Sequence, residues 1–473
     1  MQSPQSNHFK ENVAGALKDE ILQGALRHAA PRFVAKRGAA RDRLPEFDGL
    51  RDKARDLKDH VLAHLDLYLE AYEAKVKETG GHVHWAADAA EAREIILRLA
   101  KERGAKKITK GKSMISEEIN LNDALAQAGI APIETDLGEY IIQLRNERPS
   151  HIIAPAVHLT RSQIEADFRA THTHLDPARS LKEIPEIVGE ARQILRQQYL
   201  EADIGITGAN FLIAETGTSI IVTNEGNGDL TQILPKTHIV IASIEKLVPT
   251  LEDAASLLRL LARSATGQEF STYTTFSTGP KRADDPDGPE EYHVVLLDNG
   301  RSDMLGGEFA DMLRCIRCGA CMNHCPVYNA VGGHAYGWVY PGPMGSVLTP
   351  ALIGVEQSRE LPNASTFCGR CEEVCPMRIP LPKMLRHWRE REFERHLTPK
   401  AQRFGLKLWA WFAKRPRTYA LAQHWGHKAL RLWAMGRGRI GYLPLATGWT
   451  KHRDFPSPAA KTFRQMWKEQ QNG

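Results

Sequence analysis

The sequence predicts a chain in three parts: an α/β body with a mixed sheet under helices, an all-helical segment that carries the cysteines, and a basic helical tail. Three observations predict it. Strand-like and helix-like patterns alternate from about residue 82 to residue 298. All 7 cysteines lie between positions 315 and 375. Residues 400–473 hold 15 Lys+Arg against 2 Asp+Glu, a net +13 that leaves −8 for residues 1–399 within the overall +5. At 473 residues the chain is too long for one ordinary core. We divide it into a helical segment 1–60, an α/β body 61–302, a cysteine segment 303–395 and a tail 396–473.

Residues 11–79 are charged and helical in pattern, with Leu62, Leu65, Leu69 and Tyr72 three to four apart. Strand candidates follow at His82–Ala86, at Lys107–Lys112, at Pro132–Thr135 and at His151–Pro155. Helices are expected between them from Ala90 to Glu102 and from Ser116, as N-cap, to Ala128. From about residue 200 the pattern turns to Gly-punctuated strands, Ile204–Asn227 and His238–Ala242. A helix is expected at Leu251–Ala265 and a last strand at His293–Asp298.

Three polar clusters sit where such strands end: Lys110-Gly-Lys112-Ser-Met with Glu117 and Glu118; Glu134-Thr-Asp136 with Glu139; and Glu215-Thr-Gly-Thr with Asn224-Glu-Gly-Asn227. Open α/β sheets place ligands at strand ends of this kind, although turns and caps favour the same residues. No glycine-rich dinucleotide fingerprint or P-loop is present, and no nucleophile–base arrangement stands out.

The cysteines carry the sharpest signal. Cys315-Ile-Arg-Cys318-Gly-Ala-Cys321-Met-Asn-His-Cys325-Pro is the C-x2-C-x2-C-x3-C-P run of iron–sulfur proteins. Three close thiolates on a tight turn reach three corners of one cubane, and the fourth points to the neighbouring cluster. The second run, Ser365-Thr-Phe-Cys368-Gly-Arg-Cys371-Glu-Glu-Val-Cys375-Pro, is the same motif with Ser365 in the first position. Cross-wiring assigns Cys315, Cys318, Cys321 and Cys375 to cluster one, and Cys325, Cys368 and Cys371 to cluster two. The open corner of cluster two falls to Ser365 oxygen, to solvent or to a partner, or is missing in a three-iron cluster. Two clusters, [4Fe–4S] in type with the second open to [3Fe–4S], are therefore expected. Structural zinc suits paired C-x2-C units and fits three successive cysteines poorly.

The Cys-Pro ends stand 50 positions apart around a Gly-, Pro- and aromatic-rich stretch, 332–343, and a helix is expected from Leu381. This favours an α-helical ferredoxin module. Arg314, Arg317 and Arg370 flank the ligands and would raise a cluster's potential, meet an acidic partner or stay solvated.

Trp409, Trp411, Trp425 and Trp433 lie among basic residues in the tail. Partner docking is the first expectation there, a membrane surface the second, and no nucleic-acid motif is present. No apolar run reaches the roughly 18–20 residues of a spanning helix, and the first residues lack a secretory h-region. The expected location is cytoplasmic, with contact to the inner membrane face open.

These residues together resemble the lactate-utilisation protein B family. The resemblance rests on Lys112-Ser-Met with Glu117-Glu118, Glu134-Thr-Asp-Leu-Gly-Glu-Tyr140, Gly205-Ile-Thr-Gly208, Ala214-Glu-Thr-Gly217, Val222-Thr-Asn-Glu-Gly-Asn227, Leu234-Pro-Lys-Thr-His238, Asp287-Gly-Pro-Glu-Glu291 and both cysteine runs. It implies a lactate-utilisation (LUD) domain with a fold like the CoA-transferase and sugar-isomerase group, followed by a two-cluster α-helical ferredoxin module. It also implies electron transport during oxidation of L-lactate to pyruvate. Two partners are implied, a cysteine-rich iron–sulfur protein and a second LUD-domain protein. Some relatives carry Cys where this chain has Ser365, which bears on the second cluster alone. A catalytic oxidoreductase subunit and a redox-sensing scaffold are the alternatives.

Overall fold

The computed structural model describes residues 4–451 and 453–472. The chain divides into two compact units, Met1–Glu392 and Phe393–Gly473.

The first unit is built on ten strands: β1 (His82–Ala86), β2 (Lys107–Gly111), β3 (Ala131–Glu134), β4 (Ile204–Gly208), β5 (Phe211–Ile213), β6 (Thr218–Thr223), β7 (Thr237–Ser243), β8 (Leu247–Val248), β9 (Tyr273–Ser277) and β10 (Glu291–Leu297). Six form one sheet in the order β1-β10-β7-β4-β2-β3, parallel throughout. Four form a smaller sheet, β8-β5-β6-β9, antiparallel except where β5 meets β8.

A parallel sheet is covered on both faces, so its central strands read as continuous apolar runs. β7 is buried at every position and β4 likewise. Alternation decides which layer each side chain joins. Ile239 and Ile241 pack with Ile96 and Leu99 of helix Ala89–Glu102 on one face. Val240 and Ala242 pack with Tyr72 and Val76 of helix Leu65–Glu78 on the other. Each buried Ile, Leu or Val among them contributes roughly 1.5–3 kcal/mol by burial. At Gly205 in β4 an added Cβ would sit 1.8 Å from the Thr231 carbonyl oxygen. Only glycine lets helix Asn227–Ile233 lie that close to the sheet.

Strands β1, β2, β3, β4, β7 and β10 and helices Ala89–Glu102 and Leu251–Ala265 lie where the sequence places them. Two expectations are corrected. The helix expected from Ser116 is two helices, Met114–Glu118 and Leu121–Gln127, broken at Asn120 in the left-handed region (φ 50°). Its cap is Ser113, whose hydroxyl accepts the Ser116 N–H at 3.1 Å. Residues 151–155 are a bend and not a strand. His151 Nδ1 accepts the Ile153 and Ala154 N–H groups at 3.1 and 3.2 Å, and Ser150 N–H closes onto the Pro155 carbonyl. The backbone is spent on a turn. Helices Arg161–Thr171 and Ile184–Leu200 and strand β9 went unread.

After β10 the described residues of the first unit form helices only. The second unit holds helices Lys400–Ala413 and Pro416–Ala434, a two-residue β-bridge pair and two further helices. Trp409, Trp411, Trp425 and Trp433 are exposed on it. No helix among the described residues is long and apolar enough to cross a membrane.

Candidate iron–sulfur centre and its surroundings

The two cysteine runs are backbone copies of each other. In the first, Arg317 (φ 58°) and Gly319 (φ 72°) are left-handed and lead into the four-residue helix Ala320–Asn323. In the second, Phe367 (φ 54°) and Gly369 (φ 78°) do the same before Arg370–Glu373. The glycines matter here, since each must turn the chain immediately after a ligand cysteine. By this correspondence Ser365 stands at the position of Cys315. Its Oγ accepts the Phe367 N–H at 3.1 Å.

Two small cavities result. Cys315, Cys318, Cys321 and Cys375 line the first, walled by Ile152, Met312, Met322 and Met344. Cys325, Cys368, Cys371 and Ser365 line the second, beside Pro326, Pro343 and Pro382. All seven thiols are free of disulfides. Burial pushes the Cys318 and Cys371 thiols up to about 12 and Cys375 to about 11, with neighbouring thiols adding to the effect. Several thiols facing one another in an apolar pocket hold protons unless a cationic centre replaces them. Soft thiolate-only donor sets around such a pocket suit iron–sulfur clusters, which supply that charge. The residues present therefore fit the group.

The N-terminal helices brace this centre. Arg37 Nη2 donates to the Val374 carbonyl at 2.7 Å. Arg51 donates to the Cys375 carbonyl at 2.7 and 3.1 Å and to the Glu373 carbonyl at 2.7 Å. Of the three arginines singled out in the sequence, Arg314 is buried against Asp59 and Asp311. Arg370 is half exposed and pairs with Glu373. Arg317 faces inward: its guanidinium lies 5.0 Å over the Tyr340 ring and 3.4 Å from Glu245 Oε1.

That contact belongs to a fully buried ionic network. Arg301 donates from both Nη atoms to Glu118, at 2.9 and 2.7 Å. Its Nε stands 3.0 Å from Glu245 Oε2, at an angle that leaves both atoms without a hydrogen-bond partner. Tyr340 and Asn299 also donate to Glu118, at 2.6 and 2.7 Å. Arg301 and Arg317 outweigh the burial that would raise Glu245, and hold it at about 2. Lys58 Nζ donates to the Glu245 and Leu247 carbonyls. Burial brings its amine down to about 7.

The predicted polar clusters separate. Lys110, at the end of β2, is buried and donates to Glu134 and Asn122, both at 2.6 Å, with Glu117 at 3.5 Å. Burial lowers its pKa, and Glu134 and Glu117 more than restore it. Glu139 joins this group, raised well above its usual range by burial and by Glu134. Asp136 faces Lys112 at 3.6 Å. Glu118, adjacent in sequence to Glu117, points instead into the Arg301 network. Glu215 is exposed, and Asn224 caps the segment before β9 through Gln268 and Thr272. Arg37, Arg51, Arg301 and Glu245 were not singled out in the sequence. The legible signal for Arg301 and Glu245 was a charged residue soon after an apolar run, residues 294–297 and 239–242 respectively.

An α/β body joined to a helical segment with two cysteine-lined cavities defines an iron–sulfur protein. The LUD domain family matches residues 69–297, the 4Fe-4S dicluster domain 311–379, and the lactate utilisation protein B C-terminal family 370–472. Lactate utilization protein B of Bacillus licheniformis is 43% identical over 464 residues, covering 98% of this chain and 96% of that one. Its counterpart in Bacillus pumilus is 42% identical over 471 residues, covering 98% and 97%. YkgF of Escherichia coli (strain K12), called an uncharacterized electron transport protein, is 42% identical over 468 residues, covering 98% and 97%. The chain belongs to the lactate utilisation protein B family.

Proposed function

We propose that this protein is the electron-transfer subunit of a system that oxidises L-lactate to pyruvate, so that lactate serves as a carbon source. The observation that carries the reading is the pair of cysteine-lined cavities. Cys321 on one and Cys325 on the other are four residues apart, at most ~14 Å of extended chain. When bound, two clusters would supply two one-electron carriers, matching the two electrons released as a 2-hydroxy acid becomes a 2-oxo acid.

The reading assigns Cys315, Cys318, Cys321 and Cys375 to one [4Fe–4S] cluster. Cys325, Cys368 and Cys371 go to the other, with Ser365 at its fourth corner or that corner vacant as in [3Fe–4S]. This chain's part is then to hold the ligand loops: Arg37 and Arg51 fix the Val374 and Cys375 carbonyls, and Arg317 sets positive charge beside Cys315.

We further propose that the α/β body is of the CoA-transferase and sugar-isomerase type; its parallel sheet and smaller second sheet support this. The working partners would be a cysteine-rich iron–sulfur protein and a second LUD-domain protein. The basic, Trp-bearing tail supports docking to them first and peripheral membrane contact second. Seven cysteines without a disulfide support a cytoplasmic location.

The test is iron and sulfide analysis with electron paramagnetic resonance on anaerobically purified protein, before and after lactate and then dithionite. Two clusters reduced by dithionite and not by lactate alone are expected. Reduction by lactate alone would make the chain an oxidoreductase in its own right. Clusters that do not cycle would leave a scaffold or sensor.

A further inference from the structure

A third cavity lies at the carboxyl ends of β2, β4 and β6, the edge where parallel sheets bind ligands. Gly208 ends β4 there, Lys112 and Ser113 follow β2, and Thr223 ends β6. Helix Leu251–Ala265, Lys246 and Arg317 close it. Its volume of ≈ 130 Å³ is near the ~150 Å³ that admits a guest of benzene's size. Three of its lining residues, Lys112, Lys246 and Arg317, are cations, and none is an acid.

Two lining groups are left to be satisfied from within the cavity. Lys246 is 6% exposed; Glu245 and Cys315 favour its charge, while Arg317 and Arg301 repel it. Thr223 is 2% exposed, and its hydroxyl has no hydrogen-bond partner. A buried hydroxyl without a partner is costly, and a buried cation without an adjacent anion more so. An anion with one further polar oxygen would satisfy both. The apolar walls, Met114, Ile115 and Leu261 among them, suit a short carbon chain. Arg317 and Ile152 also line the four-cysteine cavity, so an occupant would share a wall with that centre.

We propose that this cavity binds a short-chain 2-hydroxy or 2-oxo carboxylate, with Lys246, Lys112 and Arg317 facing the carboxylate and Thr223 bonding the 2-oxygen. The choice of acid rests on the lactate-oxidation reading; the anion site rests on the cavity.

The test is calorimetric titration of the anaerobically purified full-length protein, clusters in place, with L-lactate, pyruvate and inorganic phosphate. Lactate or pyruvate should bind in preference to phosphate. Lys246→Met should weaken binding at least about tenfold, as loss of a charged hydrogen bond does, and Thr223→Val by a factor of about three to ten. The ligand should also perturb the resonance signal of the four-cysteine cluster and leave the other unchanged, which tests the site without any variant. No binding of either acid, equal binding of phosphate, or affinity unchanged in both variants overturns the proposal. Clusters that cycle with dithionite in a protein that binds neither acid would remove this site and keep the carrier reading. Binding without cycling would do the reverse.

Discussion

Arg301→Met removes the one group that holds Glu118 and Glu245 together. Both carboxylates are fully buried, and Arg301 has no exposed surface. The substitution keeps the side chain's volume close and deletes two hydrogen bonds to Glu118, one to the Asp298 carbonyl and the ion contact with Glu245. Glu118 would retain only the neutral donors Tyr340 and Asn299. Glu245 would retain Arg317 at 3.4 Å and the favourable charge of Lys246. Breaking a buried pair from one side costs about 3–5 kcal/mol. The assay is anaerobic urea unfolding followed by far-ultraviolet circular dichroism and by cluster absorbance. We expect a loss of about 3–5 kcal/mol, with cluster absorbance falling first because Arg317 is seated on Glu245. Adding Glu118→Gln to Arg301→Met should recover part of the loss, since it removes one stranded charge. A loss below about 1 kcal/mol, or no recovery in the double variant, would refute the reasoning.

Ser365→Cys should change the resonance spectrum of the cluster held by Cys325, Cys368 and Cys371, by giving it a fourth thiolate, and leave the other cluster alone; unchanged spectra for both would sink the correspondence of Ser365 with Cys315. Stability should fall with acid through His238. This ring is buried against Tyr292 and His293, meets Thr207 Oγ1 at 2.8 Å, and is brought from 6.5 to about 3 by burial and then by His293. The unfolded chain takes up its proton below about pH 6.5 and the fold does not, so stability present above pH 6.5 is lost as pH falls towards 3. The loss is about 2 kcal/mol at pH 5, and His238→Gln should flatten that slope in unfolding curves taken from pH 7 to 5.

The cysteine runs were legible because iron–sulfur ligation is mostly local: ligands two and three residues apart on a turn leave their spacing in the sequence. The same locality made Ser365 readable as the counterpart of Cys315 in the second run. Strands β4, β7 and β10 were legible because a doubly covered strand concentrates apolar residues: Ile204 and Ile206 in β4, residues 239–242 in β7 and residues 294–297 in β10. What stayed hidden is what long-range contact decides. Arg301 and Glu118 are 183 residues apart, and a buried arginine looks in sequence like a solvated one. Arg37 and Arg51 read as part of a charged helical face, yet each spends its guanidinium on the carbonyls beside Cys375. At 151–155 an apolar run suggested a strand, but His151 captures two backbone N–H groups and turns the chain. At Asn120 a left-handed residue splits a helix whose composition favours continuity.

The contact of Arg51 with the Cys375 carbonyl has a consequence for how the protein is made. Arg51 leaves the ribosome well before its acceptor, which follows 324 positions later. At roughly 5–20 residues per second the wait is about 16–65 s. Throughout that interval the helices of residues 20–63 have no seat for these guanidinium groups, and the four thiols of the first cavity remain incomplete for want of Cys375. Completion of the first cavity and docking of these helices therefore belong to the same moment of biosynthesis, once Cys375 has been translated.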